Sequence, residues 1–250
     1  MKFVVLNTKI DLTNYEHSAK IILNWACVGE SHMIIAANVH TIMEAYDSND
    51  FKKIVNSADL VTPDGMPLVW MMRVKGLRRQ ERVYGPMLML HVLEAAARNG
   101  IPVGLYGGAP RTLNILIEKL RALHKDLKVV YSFSPPFDAM SPEEDTLIVN
   151  AINRSGARIL FVGLGCPKQE IWMAEHRGLV NAVMLGVGAA FDFHAGVKAQ
   201  APAWMQKVGL EWLFRLFTEP RRLWKRYLYH NPRFILLAVA DLLGLLKKAY

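Results

Sequence analysis

Cysteine is scarce, with Cys27 and Cys166 the only two in 250 residues. That excludes a disulfide framework and a four-cysteine zinc site. The eight histidines are scattered, with no H-x-x-x-H spacing and no Cys/His cluster, so neither a structural nor a catalytic metal is expected. No D-x-D occurs; the nearest acidic cluster, Glu143–Glu144–Asp145, sits at a helix start where carboxylates favour the dipole. G-x-G-x-x-G and G-x-x-x-x-G-K-[ST] are both missing, which removes support for dinucleotide dehydrogenases and P-loop enzymes. Long apolar runs are missing too. The longest uncharged stretch, Gly178 to Phe191, falls short of the roughly 18–20 residues that cross a bilayer. Lys9 and Asp11 leave no room for a signal-peptide apolar region near the start, so a cytoplasmic location is expected.

What is present is apolar material and an uneven charge. Hydrophobic residues make up 52% and charged residues 21%, enough for a sizeable core and unlike a disordered chain. The net charge is +8, yet +6 of it falls after residue 200, where nine cations face Glu211, Glu219 and Asp241. Such asymmetry marks the tail as a segment with an anionic partner. Its cations interleave with Trp204, Trp212, Phe217, Trp224 and Phe234 among others, a composition that favours a lipid interface over nucleic acid. Packing of those aromatics into the core is the plainer alternative. Asp241 interrupts Phe234–Leu246, so that stretch is expected to lie on a membrane surface and not to cross it.

Residues 1–200 alternate strand-like and helical stretches. MIIAANVHT, DLVTPDG, IPVGLYGGAP, LKVVYSFS, ARILFVGLG and NAVMLGVGAAFDFHAG read as strands with polar or glycine ends, and helical periodicity lies between them. SPEEDTLIVNAINRSG opens on Ser141 and Pro142, a helix-start pattern. Continuous apolar strands separated by helices predict an α/β fold: a mostly parallel sheet with helices on both faces. Its ligand crevice then lies beyond the carboxyl ends of the strands. A boundary is expected near Gln200–Pro202, dividing an α/β core (1–200) from a basic, amphipathic helical appendage (201–250) suited to docking on a membrane. The core's glycine turns would take the nucleotide, and the family resemblance given below makes it the catalytic, nucleotide-sugar-binding unit. Pro220 and Pro232 are expected to interrupt the appendage helices.

Three strand ends carry glycines: Gly104/Gly107/Gly108, Gly163/Gly165 and Gly186/Gly188. Glycines there either turn the chain tightly or let backbone N–H groups reach a diphosphate, and three such turns on one crevice favour a nucleotide. Asp64, in TPDGMPLVW, is either ordinary Pro-Asp-Gly turn chemistry or a carboxylate poised to take a proton from a sugar hydroxyl. In GLGCPKQEIWM, Lys168 and Gln169 would stand at a helix N-terminus where an anion can sit. Cys166 reads as a small turn residue.

Together AANVHT, TPDGMPLVW, RVYGPMLM, GLGCPKQEIWM, GVGAAFDFHAG and QAPAWMQKVGLEWLFRLFTEPRRLWKRYLYHNP resemble the WecG/TagA/CpsF family of bacterial glycosyltransferases (glycosyltransferase family 26), across nearly the whole length. The resemblance implies an inverting, metal-independent transferase without a cofactor. It would take a UDP-sugar donor and a polyprenyl-diphosphate-linked sugar acceptor, in exopolysaccharide assembly. It implies Asp64 as catalytic base, with Arg82 and Gln169 in the active site. Asn38 and Thr41 would line the substrate pocket and Asp192 would contact the nucleotide. Lys168, Gly107, Gly108, Gly186 and Gly188 are the further donor-side candidates. The tail would dock on the inner face of the cell membrane, with Arg215, Arg221, Arg222 and Arg226 facing the lipid diphosphate. The xanthan-type enzymes, which add glucose to a lipid-linked glucose, are the most similar subgroup; N-acetylmannosamine or its uronic acid is the alternative sugar. Met87 departs from the family, many members having Asp there. Self-association is also expected. A non-catalytic, membrane-docked nucleotide-sugar-binding protein is the reading from another class, and it would not need Asp64, Arg82 and Gln169 together.

Overall fold

A computed structural model of the chain describes residues 1–136 and 140–246, so the tail cations Lys247 and Lys248 lie outside the described residues. The chain opens with a small antiparallel hairpin, β1 (Lys2–Val5) and β2 (Thr8–Asp11), turned by Leu6 and Asn7 at positive φ. Six strands then form the main sheet: β3 (His32–Ala37), β4 (Leu60–Pro63), β5 (Val103–Gly107), β6 (Val129–Phe133), β7 (Ile159–Gly163) and β8 (Val183–Gly186). Their order is β4-β3-β8-β7-β5-β6 and every pairing is parallel.

Strand residues alternate between two apolar clusters because successive side chains leave opposite faces. Met33, Ile35, Leu160 and Val162 enter one cluster, and Ile34, Ile159 and Phe161 enter the other. The second face is covered by α1 (Tyr15–Val28), α5 (Gly85–Arg98), α6 (Pro110–Leu123) and α9 (Ala190–Ala195). The first is covered by α2 (Val39–Asp47), α3 (Asn49–Ser57), α4 (Met66–Val74), α7 (Pro142–Ser155) and α8 (Lys168–Glu175). The α/β architecture with helices on both faces is therefore present. Ser141 caps α7 with Glu144 in a reciprocal capping box, as the sequence pattern predicts.

The tail is helical: α10 (Ala203–Lys207), α11 (Glu211–Thr218) and α12 (Pro220–Leu242). Pro220 starts α12, whereas Pro232 lies inside it and does not end it. Two anchors beyond that proline, Phe234 and Ala238, are buried in the first core cluster, and this packing outweighs the single lost helix bond. FDFHA also differs from expectation, forming the short helix α9 instead of continuing a strand. Both readings of the tail aromatics find a place. Tyr227 and Phe234 are buried, while Trp204, Phe217, Trp224 and Tyr229 are exposed. No helix among the described residues is long and apolar enough to cross a membrane.

Candidate active site

Strands β4, β3 and β8 lie side by side, so the segments leaving their carboxyl ends converge. Asn38 follows β3, Asp64 follows β4, and Val187–Gly188 follows β8. They line a cavity of ≈ 550 Å³ whose far wall is built by α11 and α12. Such a crevice is where ligands bind in open parallel sheets.

Asp64 is held at this edge by the ladder, its N–H donating to the Ala37 carbonyl at 2.8 Å. Its carboxylate accepts from the Gly85 N–H at 3.2 Å and from Asn38 Nδ2 at 3.5 Å. Asn38 is itself locked as the N-cap of α2, its Oδ1 accepting from the N–H groups of His40 and Thr41, while Thr41 Oγ1 completes the capping box. Asp64 is thus a placed carboxylate and not merely a turn former. Burial pushes its pKa up to about 6; the nearby Arg82 opposes the shift and Glu211 adds to it.

Arg82 donates through Nε to the Asp64 carbonyl. Its Nη2 lies 3.6 Å from Asp64 Oδ1 and 2.7 Å from Glu211 Oε2. The guanidinium also stacks 4.1 Å from the ring centre of Tyr84, whose hydroxyl donates to Glu211 Oε1 at 3.1 Å. A carboxylate from the tail is therefore built into the same cluster as Asp64. Neither Glu211 nor Tyr84 stands out in the sequence as a site residue. The available signal was that Glu211 is one of only three acids in a strongly basic tail.

Gln169 is buried in the cavity wall, and both ends of its amide are hydrogen-bonded within the protein. Oε1 accepts from the N–H groups of Gly165 at 3.1 Å and Gly188 at 3.0 Å, and Nε2 donates to Glu170 Oε1 at 2.9 Å. It braces the loop after β7 against the loop after β8. Glu170 is fully buried, and burial pushes its pKa up. Cys166 is likewise pushed up by burial, which keeps it a thiol and an unreactive one.

The glycines divide. Gly186 and Gly188 line the cavity, and a Cβ on Gly186 would fall 3.0 Å from Gln169 Nε2. Gly107 and Gly108 lie away from its wall; at Gly107, with φ +115°, a Cβ would meet the Gly163 backbone at 2.6 Å. Their work is the close approach of β5 to β7, with the Gly108 N–H donating to the Gly163 carbonyl. Lys168 is exposed and off the wall, because the helix turns it away from the buried side of its neighbour Gln169. Asp192 is also off the wall, paired with Lys198 at 2.7 Å and accepting from Thr112. Met87 is exposed outside the wall as well.

From the tail, Arg215, Arg222 and Arg226 face the cavity and Arg221 does not. Arg222 pairs with Glu219 at 2.6 Å. Arg226 has a buried Nε without a partner, as does Arg215, and burial lowers the Arg226 pKa with help from Arg215 and Arg222. Buried guanidinium donors without acceptors are costly unless a ligand anion meets them. The arrangement joins a raised carboxylate on one wall to three arginines on the other. It can take a proton from a hydroxyl and hold a polyanion in the same cavity.

The model of the glycosyl transferase WecG/TagA/CpsF family matches residues 3–248, nearly the whole chain, and the chain belongs to that family.

Proposed function

We propose that this glycosyltransferase moves a hexose, with glucose as first choice, from a UDP-sugar to a polyprenyl-diphosphate-linked sugar with inversion at the anomeric carbon. The observation that carries the reading is Asp64: a buried carboxylate with a pKa raised to about 6, fixed by Gly85 and Asn38 and facing the arginine wall. A base with its pKa near the operating pH is suited to proton removal in the transition state.

In the reaction, Asp64 accepts the proton of the acceptor hydroxyl as that oxygen attacks the anomeric carbon. The bond from that carbon to the donor diphosphate breaks on the opposite face, and the electron pair leaves with UDP. Arg215, Arg222 and Arg226 are the cations placed to stabilise diphosphate charge, which lets preorganised guanidinium donors assist the leaving group without a divalent ion at that point. Arg82 holds the base and is neutralised by Glu211. Gln169 acts by keeping the two glycine loops in place.

The acceptor's lipid supports the rest of the reading. Tail residues such as Trp224, Leu228, Ile235, Leu236 and Leu243 are exposed, beside cations that suit an anionic leaflet. We place the chain peripherally on the inner face of the cell membrane, with 201–250 as the docking appendage and self-association as a further way to cover its apolar face.

The test incubates full-length protein with a short-chain prenyl-diphosphate-glucose and a panel of UDP-sugars, with no magnesium or manganese added, and reads products by mass spectrometry. A one-hexose gain from UDP-glucose is expected, lost in Asp64→Asn while UDP binding by calorimetry persists. Product only from a UDP-N-acetylmannosamine-type donor would overturn the sugar assignment. Wild-type turnover in Asp64→Asn would remove Asp64 from the base role.

A further inference from the structure

Helices α2 and α12 meet at a cluster to which the transfer reaction proposed above assigns no step, although two of its members, His40 and His230, line the same cavity. His40 and Glu44 stand four residues apart on one face of α2, as the helical repeat requires. His230 reaches the same point from α12. Glu44 Oε1 lies 3.5 Å from His40 Nδ1 and 3.3 Å from His230 Nε2, and one ligand atom from each of the three residues falls within 4.8 Å of the others.

Those spacings match a coordination sphere. Four ligands at about 2.0–2.1 Å around tetrahedral zinc are separated by roughly 3.3–3.4 Å. Two of the three edges stand near that length already, at 3.5 and 3.3 Å, and the third lies within 4.8 Å. His40 Nδ1, the atom nearest Glu44 on that ring, is buried without a hydrogen-bond partner, so the pair of Glu44 with His230 does not satisfy it. Glu44 keeps 32% of its side chain exposed, which leaves an ion a route in. The unfavourable neighbours are the charges of Arg226 and Arg233, against which the carboxylates of Glu44 and Asp47 are set.

We propose that His40, Glu44 and His230 form a binding site for a divalent metal of the zinc class, clipping the tail helix α12 to α2. The two imidazoles and one carboxylate suit zinc over magnesium or calcium, which prefer oxygen ligands. His230 follows Arg226 by one helical turn, so the clip also fixes the arginine wall of the cavity. The site supplies no chemical step to the glycosyl-transfer reading; His40 and His230 border the same cavity from its edge.

The test uses full-length protein stripped with a chelator and dialysed, titrated with zinc by calorimetry and with cobalt(II) by visible absorption. One equivalent is expected, with cobalt bands of a tetrahedral nitrogen/oxygen site and a higher melting temperature. Glu44→Gln and His230→Gln, each verified as folded by circular dichroism, are expected to weaken zinc binding by at least the roughly 10–100-fold that even changes to outer-shell groups cause. Absence of stoichiometric binding in the wild-type chain would overturn the site. Binding unchanged in both variants would do the same, whatever the outcome for sugar transfer.

Discussion

The Arg82 guanidinium is shared between Asp64, 18 residues before it, and Glu211, 129 residues after it, with Nη2 at 3.6 Å and 2.7 Å from their carboxylates. The charge of Asp64, the proposed base, is thereby set partly by a carboxylate in the tail. Removing the Glu211 charge takes away one cause of the raised Asp64 pKa and leaves Arg82 more fully to Asp64. In Glu211→Gln the acid limb of kcat/KM, expected near pH 6 in the wild type, moves to lower pH. A pH–rate profile checks this, and an unmoved limb would show that Glu211 has no part in setting the base.

The same shift makes a stability prediction. The folded-state pKa of Asp64 is raised to about 6 above an ordinary 3.8, so its contribution is fully present below about pH 4 and is lost as pH rises through 6. Asp64→Asn does not titrate. Relative to wild type it is expected to gain up to about 3 kcal/mol between pH 4 and pH 8. Urea denaturation at both pH values reads the difference.

Gln169→Ala leaves the N–H groups of Gly165 and Gly188 without their shared acceptor. Both glycines are half-buried beside the cavity, so a loss at the low end of the cost of an unsatisfied donor, about 1–2 kcal/mol, is expected in chemical denaturation, with lowered kcat from the displaced loops. A stable variant with normal loops and no activity would instead give Gln169 a direct role with substrate.

Arg226 and Arg221 separate two roles in one basic helix. Arg226 faces the cavity with an unpartnered Nε, whereas Arg221 is exposed and off its wall. Arg226→Ala is expected to weaken UDP or pyrophosphate binding by roughly tenfold or more, the scale of a lost charged hydrogen bond. Arg221→Ala is expected to leave that affinity unchanged and to reduce binding to anionic vesicles by about 1 kcal/mol. Calorimetry and vesicle co-sedimentation together resolve the pair.

Gly163 packs against Phe191, and a Cβ there would fall 2.7 Å from the ring. Gly163→Ala is expected to destabilise the chain by about 1–3 kcal/mol through overpacking. A melting temperature within a degree of wild type would show that Phe191 can move aside.

Local patterns in the chain were enough for the α/β class. Apolar runs such as ILFVG, glycine ends and the Ser141 capping pattern depend on neighbours only a few residues away, and those cues act before any tertiary contact. Placement of Asp64 at a strand's carboxyl end was legible for the same reason. Two misread elements show where local cues stop: Pro232 remains helical because Phe234 and Ala238 are anchored in the core, and FDFHA winds into α9 beneath the second core cluster.

By itself the sequence determined the alternation of strands and helices, the basic tail and the family's motifs. Tertiary structure alone decided which candidates share a cavity. Lys168 and Gln169 are adjacent in the chain, yet one faces solvent and the other braces two loops, because successive helical residues point about 100° apart. Asp192 is turned to Lys198, and Arg221 points away from the wall that Arg222 and Arg226 build. The strand order β4-β3-β8 brings Asn38, Asp64 and Gly188 together, and the packing of α11 and α12 brings Glu211 to Arg82. Both depend on contacts between residues far apart in the chain, which no short-range pattern encodes.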